Sequence, residues 1–128
     1  MPQSAGLHEE NVTPQTRDRH RALASLGEEL EAIDWYDQRV DVTGDAELKA
    51  ILAHNRDEEK EHASMVLEWL RRRDAAFDTK LREYLFTEGS IVRRETALER
   101  EAAAAGGDTG RPIGDGSLGI GSLKVRSA

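Results

Sequence analysis

The residues best suited to chemistry in this sequence are a glutamate and a histidine spaced three positions apart, Glu59 and His62. Side chains three or four positions apart lie on the same face of an α-helix. Carboxylate oxygens and imidazole nitrogens together suit iron, manganese or zinc. Glu29, in a separate stretch of the chain, would add a second carboxylate. These three residues predict a metal site, provided that helices bring them together.

Glu59 and His62 stand in the middle of an otherwise apolar helical stripe. Burying a carboxylate and an imidazole there costs free energy unless a partner compensates, and a metal ion is such a partner. The alternative is that the two residues are solvated or paired with each other, and we would favour it for a lone Glu-x-x-His motif. The stripe consists of Leu48, Leu52, Asn55, Glu59, His62, Val66 and Trp69.

Glu29 interrupts an apolar face in the same way. Leu26 lies three residues before it, Ile33 lies four after it, and Tyr36 follows two turns later. Alone, Glu29 would more often be a surface residue and Tyr36 a core tyrosine, but polar groups on two inward faces favour the metal site. The predicted core face of this helix consists of Leu23, Leu26, Leu30, Ile33, Tyr36 or Asp37, and Val40.

Two long helices joined by a tight turn would position these residues. Thr13 and Pro14 give the hydroxyl cap and proline of a helix start, and the first helix is predicted to run to about Val40. Asp45 is predicted to cap a second helix, which ends near the arginines at 71–73, where cations suit the negative end of the helix dipole. The pair is predicted to form an antiparallel hairpin.

The rest of the chain is predicted to add little to the core. A shorter third helix covers residues 77–85, and Gly89 terminates it. Residues 93–105 favour helix but almost lack an apolar stripe, so they are expected to be a loosely helical spacer. The predicted organisation is a disordered N-terminus at 1–12, a helical domain at 13–89, a spacer and linker at 90–114, and a tail at 115–128.

Composition narrows the classes of protein. The 128 residues suit one all-α domain, with 34% charged and 5% aromatic residues and a net charge of −7. The sequence has no basic stripe interleaved with aromatic residues, so it lacks the pattern that is typical of nucleic-acid-binding proteins. No cysteine is present, so metal ligands must come from His, Asp and Glu. The sequence contains no run of about 18 apolar residues, which a membrane-spanning helix would need. A soluble cytoplasmic protein is therefore expected.

The number of ligands predicts an assembly. A four-helix di-iron site takes a glutamate from each of two helices and a Glu-x-x-His motif from each of the other two. This chain has half of that set: Glu29, and Glu59 with His62. A two-fold partner would supply the other half. We therefore expect the hairpin to dimerise into a ferritin-like four-helix bundle.

Other polar residues are weaker candidates. Glu28, Glu31 and Asp34 crowd the first helix beside Trp35, and their repulsion is relieved either by visiting cations or by full solvation. Residues on other faces are predicted to bind metal weakly at most: His8, His20, His54, Glu58 and Glu61.

Two segments closely resemble the encapsulated ferritins: EELEAIDWYDQR at 28–39 and ILAHNRDEEKEHA at 51–63. LEWLRR at 67–72 and YLFTEG at 84–89 extend the resemblance over most of residues 16–89. The resemblance implies a ferroxidase with a di-iron centre across a dimer, dimers assembled into a ring (a decamer), and residence inside an encapsulin shell. The residues that it implicates are the iron ligands Glu29, Glu59 and His62, the nearby Tyr36, and the metal-entry residues Glu28 and Glu31 beside Trp35.

The tail also resembles an encapsulin-targeting peptide at residues 115–124. Its apolar Leu118, Ile120 and Leu123 are separated by small residues and suit an extended docking peptide, although an unstructured end would look similar. Two rival functions remain. One is a non-catalytic helical adaptor that docks by this tail, and the other is a di-metal protein that scavenges peroxide or acts as an oxygenase.

Overall fold

The computed structural model describes residues 6–109, with side chains to residue 106, and within that range it holds four helices and no strand. The predicted all-α class is confirmed. The proposed targeting segment at 115–124 lies outside the described residues, as does the start of the N-terminal segment. Within the described part of the chain, each helix is too short or too polar to cross a membrane.

Helix α1 spans Pro14–Val42 and helix α2 spans Ala46–Arg73. The cap residues that the sequence indicated start both helices: Thr13 Oγ1 accepts the backbone N–H of Thr16 at 3.1 Å, and Asp45 Oδ2 accepts that of Leu48 at 2.8 Å. Each such bond satisfies one of the N–H groups that a helix start leaves unpaired. The two helices therefore begin where the chain offers an oxygen acceptor.

Helix α3 spans Ala75–Tyr84 and follows α2 almost directly. Asp74 Oδ1 accepts the N–H of Phe77 at 3.0 Å. The guanidinium of Arg71 joins the two helices, because it donates twice to the carboxylate of Glu68 at 2.8 Å and once to that of Asp78. This network spans the junction between α2 and α3.

Helix α4 spans Ile91–Thr109 and belongs to a separate compact unit that begins at Tyr84. Ser90 Oγ accepts the N–H of Arg93 at 3.1 Å and caps it. The sequence predicted a loosely helical spacer over 93–105, and the structure has a continuous helix there. Helix-forming residues and the Ser90 cap account for it, since alanine and glutamate favour a helix without an apolar face.

Helices α1 and α2 pack side by side as the predicted antiparallel hairpin. Arg56 Nη1 of α2 lies 3.1 Å from Asp37 Oδ1 of α1, and this ion pair links the two helices. Among the described residues, Ala63 and Leu70 alone are apolar and fully buried. The core of one chain is therefore small.

Two predicted core residues of α1 do not lie in the core of the single chain. Leu23 is 54% exposed and Leu30 is 53% exposed. Both lie about a sixth of a turn around α1 from the line of Leu26 and Ile33, since each residue advances about 100°. The apolar face predicted for α1 is therefore wider than the part of α1 that α2 covers.

Candidate metal centre

The structure brings Glu29 of α1 and Glu59 and His62 of α2 together midway along the hairpin. Each residue offers one ligand atom, and the three atoms lie within 4.8 Å of one another. His62 Nδ1 is 3.3 Å from Glu59 Oε1 and 3.7 Å from Glu29 Oε1. The side chains of Glu29 and Glu59 are 25% and 23% exposed, and that of His62 is 44% exposed. The cluster therefore opens to one side of the hairpin.

Helix geometry explains why these three residues meet. Glu59 and His62 are one turn apart on α2, so they share a face. Glu29 reaches them because the hairpin register places its turn of α1 opposite theirs, and the Asp37–Arg56 ion pair is a further contact across the same hairpin. Sequence reasoning did not identify the Asp37–Arg56 pair, because opposite charges 19 positions apart give no local signal.

The two carboxyl groups lie close enough to share a hydrogen bond. A hydrogen bond donated by Glu29 to Glu59, followed by burial and by the charge of Glu59, raises the pKa of Glu29. The same hydrogen bond, accepted by Glu59, lowers the pKa of Glu59. Two carboxylates this close repel each other when both are ionised. A bound proton relieves that repulsion, and a metal cation would relieve it more fully.

His62 faces both carboxyl groups. Its hydrogen bond with Glu59, together with the negative charge of Glu29, raises its pKa although burial opposes the shift. An imidazole must be neutral to bind a metal through Nδ1. Metal binding here would therefore displace protons from both the carboxyl pair and the imidazole. The donor set of two carboxylates and one imidazole fits iron, manganese or zinc.

Tyr36 lies two turns after Glu29 on the same face of α1 and is partly buried. The guanidinium of Arg39 lies over its ring, 5.3 Å from the centroid. Tyr36 is not one of the three clustered ligands. Its predicted place beside the site rests on this shared face.

The predicted entry-site residues lie outside the cluster. Glu28, Glu31 and Trp35 are all exposed, Trp35 by 50%. Glu28 lines a cavity on the flank of α1, while Trp35 lines a shallow cavity with Gln38 and Arg39. A role in metal entry remains a prediction for these residues. Of the weaker candidates, His54 and Glu58 form a pair at 3.8 Å with side chains 71% and 48% exposed.

The cluster opens onto one face of the hairpin, which we call the site face. It carries Ser25 and Glu29 of α1 and Ile51, His62 and Met65 of α2. Ser25 and Glu29 are one turn apart, and Ile51 and His62 are three turns apart, so each pair shares a side of its helix. A cavity lined by both Ser25 and Met65 shows that the two helices present these sides together.

The site face also exposes apolar surface. Ile51 is 51% exposed and Met65 is 59% exposed. Leu23 lies two residues from Ser25, a turn of about 200° around α1, and so belongs to the opposite face with Leu30. We call that the back face. Both faces of the hairpin therefore expose large apolar side chains.

Comparisons with known proteins agree on one family. Residues 5–88 match the family model described as EncFtn-like. The encapsulated ferritin-like protein of Rhodospirillum rubrum is 58% identical, in an alignment that covers 100% of this chain and 95% of the relative. The ferritin-like protein of Thermotoga maritima is 50% identical, over 80% of this chain and 87% of the relative.

More distant similarity and a solved structure extend the comparison. The encapsulin nanocompartment cargo protein EncC of Myxococcus xanthus is 34% identical, over 81% of this chain and 85% of the relative. The crystal structure of protein ne0167 from Nitrosomonas europaea superposes with a TM-score of 0.66 at 61% identity, and covers 67% of this chain and 97% of that chain.

Proposed function

The chain belongs to the EncFtn-like family, and from that premise we propose that it is a ferroxidase whose di-iron site is completed by a second copy of itself. The resemblance to the encapsulated ferritins seen in the sequence is thereby confirmed. The observation that carries the proposal is the Glu29–Glu59–His62 cluster, with its three ligand atoms within 4.8 Å of one another on an open face.

The donor set supports iron as the substrate. Carboxylate oxygens stabilise the higher charge of the ferric state, and an imidazole nitrogen suits both oxidation states. In the proposed reaction two ferrous ions each lose one electron. Two electrons reduce one peroxide to two waters with the uptake of two protons, or one dioxygen to hydrogen peroxide with the same uptake. Glu29 and Glu59 would bridge or chelate the irons. The His62 of each chain would supply one nitrogen to one iron.

The number of ligands supports a dimer. One chain supplies two carboxylates and one imidazole, half of the set found in four-helix di-iron sites. A two-fold partner that packs on the site face would bring a second Glu29, Glu59 and His62 to the first. The same contact would cover Ile51 and Met65, which are more than half exposed in the single chain. We propose that such dimers assemble further into a ring, a decamer by resemblance.

The names of relatives support a shell as the partner. The Rhodospirillum rubrum relative is named as an encapsulated protein and the Myxococcus xanthus relative as a nanocompartment cargo. We propose that this chain resides inside an encapsulin compartment in the cytoplasm, docked through residues 115–124. Since an open dimer or ring encloses no storage space, the oxidised iron would be mineralised in the shell.

Ferrous oxidation in matched variants tests the proposed site. Glu59→Ala and His62→Ala should each slow the initial rate of ferric formation at least tenfold, because removal of even outer partners of metal ligands costs about 10–100-fold. Lys60→Ala is the control, since the side chain of Lys60 is 56% exposed on the same helix and no metal role is predicted for it. Unchanged rates in both ligand variants, with Lys60→Ala equal to wild type, would disprove the assignment of the site.

The same samples separate the rival functions. A helical adaptor would bind no stoichiometric metal in the wild type. A peroxide scavenger or oxygenase would consume oxidant without accumulating ferric iron in proportion when ferrous iron is the sole reductant. Counting ferric ions formed per oxidant consumed therefore distinguishes ferroxidase activity from both alternatives.

A further inference from the structure

A second set of polar side chains, away from the metal cluster, surrounds a cavity of about 360 Å³ on the flank of α1. The N-terminal residues fold back along the helix and form one wall. Arg17 Nη2 donates to the backbone carbonyl of Glu10 at 3.5 Å. A Cβ at Gly6 would lie 3.0 Å from Cε1 of His20, so glycine permits this close approach. The cavity is lined by Leu7, Arg17, His20, Arg21, Ala24, Ser25 and Glu28.

Three of the lining residues are basic and occupy neighbouring positions on one side of α1. Arg17, His20 and Arg21 are spaced three and four apart, so their side chains adjoin. Like charges four apart on a helix repel and destabilise it. Arg17 and Arg21 therefore place two positive charges one turn apart beside this cavity. A bound anion would relieve the repulsion.

The existing contacts of the two arginines leave room for an anion. Arg17 faces a neutral carbonyl at the outer limit of hydrogen bonding. Arg21 pairs with Asp18 at 2.8 Å, but both side chains are largely exposed, 66% and 57%. Ion pairs this exposed contribute little, so Arg21 can turn to another acceptor at small cost.

Glu28 is the one carboxylate in the cavity wall and limits what fits. It lies seven residues beyond Arg21, about 10 Å along the helix axis, so it closes the far end. A large polyanion that filled the whole cavity would meet its charge. A small anion at the end formed by Arg17, His20 and Arg21 would not.

We propose that this cavity binds a small inorganic oxyanion of the phosphate class. Guanidinium groups bind tetrahedral oxyanions through two parallel N–H···O bonds, and the imidazole of His20 donates a further bond. The Ser25 hydroxyl is a further donor in the wall. The inference does not require ferroxidase activity, because the cavity shares no residue with the Glu29–Glu59–His62 cluster. The cavity borders the site face at Ser25 and includes the predicted entry residue Glu28.

Titration of the metal-free, full-length protein with inorganic phosphate tests the inference, by calorimetry at constant ionic strength. Wild type should show one saturable site per chain. Arg17→Gln and Arg21→Gln should each weaken it about tenfold, since a hydrogen bond to a charged group contributes on that scale. Arg19→Gln is the matched control, because Arg19 sits between them on another side of α1 and donates to Thr16 Oγ1 at 3.1 Å.

The control decides between a built site and general attraction. Binding that survives in Arg19→Gln and weakens in the other two variants supports the cavity. Two results would overturn the proposal: no saturable phosphate binding by wild type, or equal weakening by all three substitutions. Far-ultraviolet circular dichroism confirms that each variant keeps its helices. Neither result bears on ferrous oxidation, so the two proposals stand or fall separately.

Discussion

Replacing Ile51 by alanine tests the proposed interface without touching a metal ligand. Full burial of an isoleucine side chain is worth roughly 1.5–3 kcal/mol, and Ile51 is 51% exposed in the single chain. Covering that half would contribute about 1 kcal/mol per chain. A two-fold interface uses the residue twice, so Ile51→Ala should weaken the dimer by about 2 kcal/mol, or roughly 30-fold in dissociation constant.

Alanine keeps the helix intact, because it has the highest helix propensity. The assay is sedimentation velocity of the metal-free protein over a dilution series, with ferrous oxidation measured at the same concentrations. Activity should fall where the dimer dissociates, since each chain holds half of the ligand set. For Ile51→Ala that concentration should lie about 30-fold higher than for wild type.

Leu30→Ala is the matched control, since Leu30 is 53% exposed but lies on the back face. It should leave the shared site and the dimer that carries activity unchanged. The reasoning is refuted if Ile51→Ala dissociates like wild type while Leu30→Ala shifts both dissociation and activity. The partner would then pack on the back face, and the metal cluster would not be shared.

Three further predictions concern protons, a helix cap and the tail. Under anaerobic conditions, the affinity for ferrous iron should increase with pH by up to about tenfold per pH unit below the raised pKa of His62, and it should level off above that pKa. The reason is that the imidazole proton must leave before the metal binds. His62→Gln should flatten this pH profile. In the metal-free chain the same raised pKa stabilises the fold below about pH 6.5, and this contribution should disappear as pH rises through the folded pKa. Asp45→Ala should lower the free energy of unfolding in urea by about 1 kcal/mol, since it removes the 2.8 Å bond to the N–H of Leu48; Asp41→Ala, in the last turn of α1, should not. Deleting residues 115–128 should leave ferrous oxidation intact but abolish co-purification with a co-expressed encapsulin, and normal loading of the truncated chain would disprove the docking role of the tail.

The helices and the identity of the ligands could be predicted from the sequence, because both depend on local spacing. Thr13 and Asp45 each offer an oxygen to the N–H groups three residues on, so the helix starts are local events. Glu59 and His62 share a face whatever α2 packs against, since three residues make nearly one turn. The end of α2 at Arg73 was predicted from the run of arginines there. Helix α4 was predicted only as a loosely helical spacer, and it forms a continuous helix through contacts within a few positions.

The tertiary structure alone decided which residues meet across the hairpin. Glu29 comes within 3.7 Å of His62 because the register of α1 against α2 places it there. The same packing leaves Leu30 53% exposed, although the sequence pattern placed Leu30 on the core face with Ile33. A helical stripe records which side chains share a side of one helix, but burial depends on the direction and width of the surface that covers it. That surface is formed by residues far away in sequence, whose positions no local pattern specifies.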